Sequence, residues 1–334
     1  MEAVACNMCG NKKYMKLYPG RDRLYGLEGS FYIVRCLRCG LVYTNPRPIE
    51  KEISIFYPSK NYYSYQDYES ESLFRRLRRI IIEKYYSDNS LNRNELKHSP
   101  FFKVAACLMR TRVGGIPTFI PGGRILDVGC GSGETLKILK DIGWDAWGLE
   151  IDEKAVEIGR HKGLNVRCGN LLDSKFPPEF FNVVRFWHVF EHLHRPRETL
   201  QEVYKILKRG GELIIGVPNL SSLQSKIFRQ RWYHLDIPRH LYHFTKKTLN
   251  NMVASEGFRV KNYRFISAAG IAGSIGYLLE DKFSRKRDLA SKLVNNQKIV
   301  FALLAFEICI DFFRAGEIID LRAIKEMRKR SWDR

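Results

Sequence analysis

The chain has 334 residues, of which 45% are hydrophobic and 28% charged, a balance that excludes a disordered chain and predicts a sizeable folded core. Lys and Arg number 56 against 36 Asp and Glu, giving a formal charge of +20. Such a field suits phosphates, acidic glycans or anionic lipid surfaces without naming one of them. Met1 to Gly10 holds two cysteines and no apolar stretch, so no secretory leader is expected. Ile299–Phe313, the longest apolar stretch, is interrupted by Glu307 and Asp311 and falls short of the roughly 20 residues that cross a bilayer. A cytoplasmic protein with reduced thiols is the expectation.

Near the N-terminus, Cys6-Asn7-Met8-Cys9-Gly10 and Cys36-Leu37-Arg38-Cys39-Gly40 are matching knuckles. The two-residue gap lets both thiolates of a pair face one ion, and two pairs complete a tetrahedral shell. Four protein ligands leave no open position, so Cys6, Cys9, Cys36 and Cys39 are expected to hold a structural Zn²⁺. The ribbon would span residues 1–48, closed by a hairpin of Tyr14–Leu17 with Phe31–Arg35. Cys107, Cys130, Cys168 and Cys309 are isolated and expected to be buried small apolar residues. Asn45-Pro46-Arg47-Pro48 then opens a linker and helical cap over 49–120. Leu73, Leu77, Ile80 and Ile81 lie at helical spacing within it, which predicts one or two helices between Ser70 and Arg112.

From Arg124 strands and helices alternate. Strands are predicted at Arg124–Val128, Asp145–Leu149, Asn165–Cys168, Phe181–Trp187, Glu212–Val217 and Phe258–Phe265. Helices are predicted at Glu134–Ile142, Glu153–Lys162, Glu198–Leu207 and Lys246–Glu256. Near-continuous apolar strands in this alternation predict a doubly wound α/β domain on a buried, mostly parallel sheet, spanning 121–334 with a helical insertion near 269–313.

The sharpest motif is Ile125-Leu126-Asp127-Val128-Gly129-Cys130-Gly131-Ser132-Gly133, a strand entering a glycine turn and then a helix. A dinucleotide site would require G-x-G-x-x-G. Here the spacing is G-x-G-x-G, and the carboxylate of Asp127 before the turn suits a cationic ligand better than a pyrophosphate. Glu150 ends the next strand, where a carboxylate can accept both hydroxyls of a ribose. The stretch from this motif to Gly211 resembles the nucleoside-binding half of class I S-adenosylmethionine (SAM)-dependent methyltransferases, especially the branch of the ubiquinone-biosynthesis O-methyltransferases. The two cysteine knuckles and the tail from Gly316 to Lys325, which looks like a last strand, extend the likeness. The resemblance implies a seven-stranded Rossmann-like sheet. It also implies that Asp127 with Gly129, Gly131 and Gly133 holds the methionine part, Glu150 the ribose, and Asn170 with Leu171 the adenine. Asn170 stands where many relatives carry Asp.

The fourth strand ends in His188-Val189-Phe190-Glu191-His192. The H-x-x-E-H spacing also fits an inverted zinc-protease motif, but that motif needs a helix and these residues follow a buried strand. In the resembling family this loop faces the methyl donor. His188 is then a candidate for general base or for substrate orientation and a further cofactor contact, while Glu191 and His192 either bind a divalent metal or brace the loop. A second cluster, Arg231 to Phe244, resembles a loop that closes over donor and acceptor, with His240 and Arg239 as the expected substrate contacts. The implied acceptor is a hydroxyl of a small-molecule, glycan or lipid-linked compound. The chain carries no (Asp/Asn)-Pro-Pro-aromatic turn after the fourth strand, which counts against a nucleobase amine. An RNA methyltransferase, from the ribbon and the charge, and a non-catalytic SAM-binding scaffold remain as other readings. On a helix, Ile299–Phe313 would place Glu307, Asp311 and Arg314 on one face, so it either lies on a membrane surface or packs on the catalytic domain.

Overall fold

In a computed structural model, the structure describes residues 1–57, 82, 113–267, 270–283 and 289–326. The helices expected between Ser70 and Arg112, apart from Ile82, lie outside the described residues, as do Cys107 and the basic runs 75–79, 285–287 and 328–330.

The larger sheet has seven strands: β4 (Arg124–Val128), β5 (Asp145–Glu150), β6 (Asn165–Cys168), β7 (Phe181–Trp187), β8 (Leu207–Pro218), β10 (Phe258–Ile266) and β11 (Ile318–Lys325). Their order is β10-β11-β8-β7-β4-β5-β6, with β11 antiparallel to both neighbours and the other pairs parallel. Phe181, Val183, Val184 and Phe186 of β7 are all fully buried, as a central parallel strand with helices on both faces requires. Strand order reverses between β4 and β7, and ligands of open α/β sheets bind at such a switch point, beyond the carboxyl ends of the strands.

The crossover helices are α1 (Glu134–Asp141), α2 (Glu153–His161), α3 (Pro196–Ile206) and α5 (Lys246–Ser255), with a short α4 (Leu223–Phe228) after β8. Local chemistry sets their starts: Asp152 caps α2 by accepting from the Ala155 amide, and Thr245 and Thr248 form a reciprocal cap on α5. Sequence periodicity extends the third helix to Leu207 and starts the next strand at Glu212. The structure ends the helix at Ile206 and runs β8 from Leu207, absorbing the Arg209-Gly210-Gly211 turn as a register shift against β7.

Among the described residues, three helices lie in the stretch expected to be helical: α6 (Gly270–Phe283), α7 (Leu289–Asn295) and α8 (Gln297–Phe312). On α8 the carboxylates point inward: Glu307 is buried and Asp311 accepts from the Ser267 hydroxyl, while Phe306 and Phe312 are exposed. Among the described residues no helix is long and apolar enough to cross a membrane. Cys168 and Cys309 are exposed rather than buried, because β6 is an edge strand and Cys309 lies on the outer face of α8.

The smaller sheet changes the expected division of the chain. Its strands are β1 (Tyr14–Gly20), β2 (Phe31–Cys36), β3 (Val42–Thr44) and β9 (Tyr242–His243), in that order. β9 comes from the loop between β8 and α5 and pairs antiparallel with β3, Val42 opposite His243 and Tyr43 opposite Tyr242. The ribbon sheet therefore crosses the boundary expected at residue 48. Tyr43, Leu241, Tyr242 and Phe244 belong to the same apolar core as β7 and β8.

Candidate active site

At the ribbon tip the four sulfurs of Cys6, Cys9, Cys36 and Cys39 lie within 4.8 Å of one another. Cys6 Sγ is 3.4 Å from Cys39 Sγ, and Cys9 Sγ 3.5 Å from Cys36 Sγ. Tetrahedral zinc with bonds of about 2.3 Å separates its sulfurs by about 3.8 Å, so the donor set fits that ion. Each knuckle closes on a glycine, Gly10 or Gly40, whose amide donates to the carbonyl of the first cysteine. Both glycines adopt positive φ, the conformation the C-x-x-C-G spacing anticipates.

The glycine turn leaves β4 at the switch point. Gly129 and Gly133 have φ of 69° and 82°, and a Cβ would strike Val189 at the first and Leu164 at the second. Gly131, with φ of 55°, shares the left-handed backbone, so the turn favours glycine at all three positions before any ligand is considered. Glu150, at the end of β5, accepts from the Gly131 amide at 2.9 Å with one oxygen and from the Ile151 and Asp152 amides with the other. Burial raises its pKa against the pull of these amides. Asp127 is buried in an ion pair with Arg185, whose Nε donates to the Gly115 carbonyl. Asn170 folds back on Asp173 just past β6, and Leu171 is buried in the core beside it.

His188 follows β7 directly and holds φ of 56°, a strained conformation for a residue with a Cβ. Its Nδ1 faces Glu191 Oε1 at 3.5 Å, its ring lies parallel to that of His234 with centroids 6.4 Å apart, and 30% of its side chain is exposed. Glu191 is fully buried with no hydrogen-bond donor on either oxygen. Burial would raise its pKa, but the surrounding imidazoles of His188, His192 and His240 overrule it and hold the carboxylate ionised, at about 2.

His240 is buried, and burial pushes its pKa down to about 4. Its Nδ1 lies 2.8 Å from the His234 carbonyl and must donate, since a carbonyl only accepts. The neutral ring then turns the lone pair of Nε2 toward Glu191 Oε1 at 3.8 Å and Asp236 Oδ2 at 3.9 Å. Lone pairs and carboxylates converging without a donor fit a cation, and Glu191, His192 and His240 each offer an atom within 4.8 Å of the others. His192 is itself fixed through Nδ1, 2.8 Å from the Tyr57 hydroxyl and 3.0 Å from the Arg239 carbonyl.

Arg239 stands behind the histidines rather than among them. Its guanidinium has no exposed surface and donates to Asp236, Asp22 and the Phe56 carbonyl. The expected substrate contact at Arg239 is therefore corrected to a strut between the ribbon and the loop that carries His240, because every side of the group is occupied. The structure also adds residues that periodicity and motif did not single out. His234 Nε2 lies 3.4 Å from Glu317 Oε2, a fully buried carboxylate that also accepts from the Gly270 amide. His188 and His234 are thus two facing imidazoles, each backed by a buried glutamate.

A family described as a methyltransferase domain matches residues 103–262. An uncharacterised protein of Methanocaldococcus jannaschii is 23% identical over 163 residues, covering 49% of this chain and 78% of that protein. A probable SAM-dependent methyltransferase of Mycolicibacterium smegmatis is 30% identical over 29% of this chain and 39% of its own length. A demethylmenaquinone methyltransferase of Symbiobacterium thermophilum is 33% identical over 29% and 43%. The chain thus spans less than half the length of the two named enzymes, and other relatives carry names of sterol and tRNA methyltransferases. The strand order, the G-x-G-x-G turn at its switch point and the family matched over residues 103–262 agree on a methyltransferase domain, similar to those of SAM-dependent methyltransferases.

Proposed function

We propose that the chain methylates a hydroxyl of a small-molecule, glycan or lipid-linked acceptor, with His188 as the base. The observation that carries this reading is the strained His188 at the carboxyl end of β7, its Nδ1 3.5 Å from the buried Glu191 carboxylate and its side chain 30% exposed. SAM, when bound, supplies an electrophilic methyl group on a sulfonium. Gly129, Gly131 and Gly133 would cradle its methionine part, Glu150 its ribose, and Asn170 with Leu171 its adenine. Arg185 takes Oδ1 of Asp127, so the share of Asp127 in the ammonium site is Oδ2. His188 Nε2 would take the acceptor's proton as its oxygen bonds to the methyl carbon and the carbon–sulfur pair returns to sulfur. Orientation of the acceptor and exclusion of water supply the rest of the acceleration. His240 would contact the acceptor from the opposite wall.

Cys6, Cys9, Cys36 and Cys39 would hold a structural zinc that fixes the ribbon. Glu191, His192 and His240 would hold a divalent cation, and the chemistry supplied there would be polarisation of an acceptor oxygen. The inward carboxylates and outward phenylalanines of α8 support a peripheral membrane contact, and failure to sediment with anionic liposomes would remove it. The test of the function is to incubate the protein with methyl-labelled SAM and a host extract. Label in glycan, lipid or small-molecule fractions supports this reading. Label in RNA favours the second reading, motivated by the charge of +20, and no label despite SAM binding favours a scaffold.

A further inference from the structure

Trp232, Leu235, Asp236 and Ile237, from the segment that carries His234, also wall a cavity of about 400 Å³ between the end of β1 and α6. Arg21, Arg23 and Arg231 converge there on a single carboxylate, Asp281. Arg23 grips it with two bonds of 3.0 Å, Arg21 donates at 2.8 Å and Arg231 at 2.7 Å. Each guanidinium has five N–H donors, so these four bonds leave donors for a second anion. Asp236, also in the wall, is matched by Arg239 beneath it, which in turn meets Asp22. The six groups and Arg239 together carry a net positive charge, and around Asp281 two guanidiniums are uncompensated. An ion pair built only to tie β1 to α6 needs one arginine.

We propose that this cavity is a phosphate subsite, in which Arg21, Arg23 and Arg231 bind the phosphate or diphosphate group of the methyl acceptor. The identity of the ligand as the acceptor rests on the methyl-transfer reading; the phosphate site does not. Arginine forks match phosphate oxygens bidentately, and Leu235, Ile237 and Tyr277 line the same cavity beside them. A run of rings connects the cavity to the proposed base. Tyr277 packs on Tyr233 at 5.7 Å, Tyr233 on His234 at 5.6 Å, and His234 faces His188 at 6.4 Å. An acceptor with its phosphate on the arginines and its hydroxyl at His188 would lie along that run.

The probe is inorganic pyrophosphate, titrated against the full chain at fixed ionic strength with melting temperature as readout and neither SAM nor acceptor present. The wild type should show a saturable rise. Arg21→Gln, on an exposed side chain that folding does not need, should weaken binding about tenfold, and Arg231→Gln at least as much. Asp281→Asn removes the competing carboxylate and should tighten binding, whereas a purely structural strut predicts a destabilised protein with no gain. No rise in the wild type, an unchanged Arg21→Gln titration, or weaker binding in Asp281→Asn overturns the proposal. A rise with RNA but none with pyrophosphate also overturns it, in favour of a nucleic-acid backbone contact. In the labelled-extract assay pyrophosphate should compete with the acceptor. Binding without competition overturns the acceptor assignment and leaves a site for a free phosphate compound.

Discussion

The proposed function divides the crevice into a cofactor side and an acceptor side, and the two are assembled differently. The cofactor side is local: β4, the glycine turn and α1 follow one another in the chain, and Glu150 reaches back from the adjacent strand to the Gly131 amide. The acceptor side gathers distant pieces. His188 leaves β7, His234 and His240 come from the loop after β8, Glu317 precedes β11, the ribbon contributes Asp22 and Thr44, and the segment that follows it contributes Tyr57. Thr44 donates to the His240 carbonyl at 2.9 Å, and Asn7 and Arg47 both donate to the His194 carbonyl. Under the proposed function, the ribbon with its cluster of four cysteines is part of the wall that would face the acceptor.

Substitutions that touch one side and spare the other test this division. The largest effect is expected from His188→Ala. Labelled methyl transfer should fall about 10²–10⁴-fold while SAM affinity by calorimetry changes less than about threefold. A parallel loss of both would erase the distinction. Arg239→Leu leaves Asp22 and Asp236 without their cation and should cost about 3–5 kcal/mol in urea unfolding. An unchanged unfolding midpoint would show that the strut does not join ribbon to loop. On the other side, Glu150→Gln should weaken SAM binding about tenfold or more, with turnover at saturating SAM within about threefold of wild type. The smallest effect belongs to Arg124→Gln at the solvent end of β4, where a half-exposed pair with Asp145 is worth no more than about 1 kcal/mol. A larger loss there would mean that the cofactor side is less self-contained than its topology implies.

The contrast also explains what could be read from the chain before its structure. Residues 124–187 alternate apolar strands with amphipathic helices, so the elements and the glycine turn fall within a residue or two of where periodicity puts them. Cys6, Cys9, Cys36 and Cys39 were legible because two identical spacings impose one geometry. Long-range pairing is a different matter. Nothing local distinguishes His234 from other histidines in an aromatic loop, and its partner Glu317 is supplied by the antiparallel β11. Arg239 has the composition of a substrate contact, yet the ribbon buries it, and no pattern in the sequence reveals that β9 pairs with β3.

The dependence of the acceptor side on the ribbon can be measured directly with Cys36→Ser, comparing zinc content, SAM affinity and labelled methyl transfer in one preparation. The account predicts less than one zinc per chain, SAM affinity within about twofold of wild type, and methyl transfer reduced about a hundredfold or more, because Thr44 and Asp22 of the ribbon hold the segment that carries Arg239 and His240, whereas Glu150 is bonded to the glycine turn of the larger sheet. Full methyl transfer in a zinc-free protein, or a matching collapse of SAM binding, would contradict it.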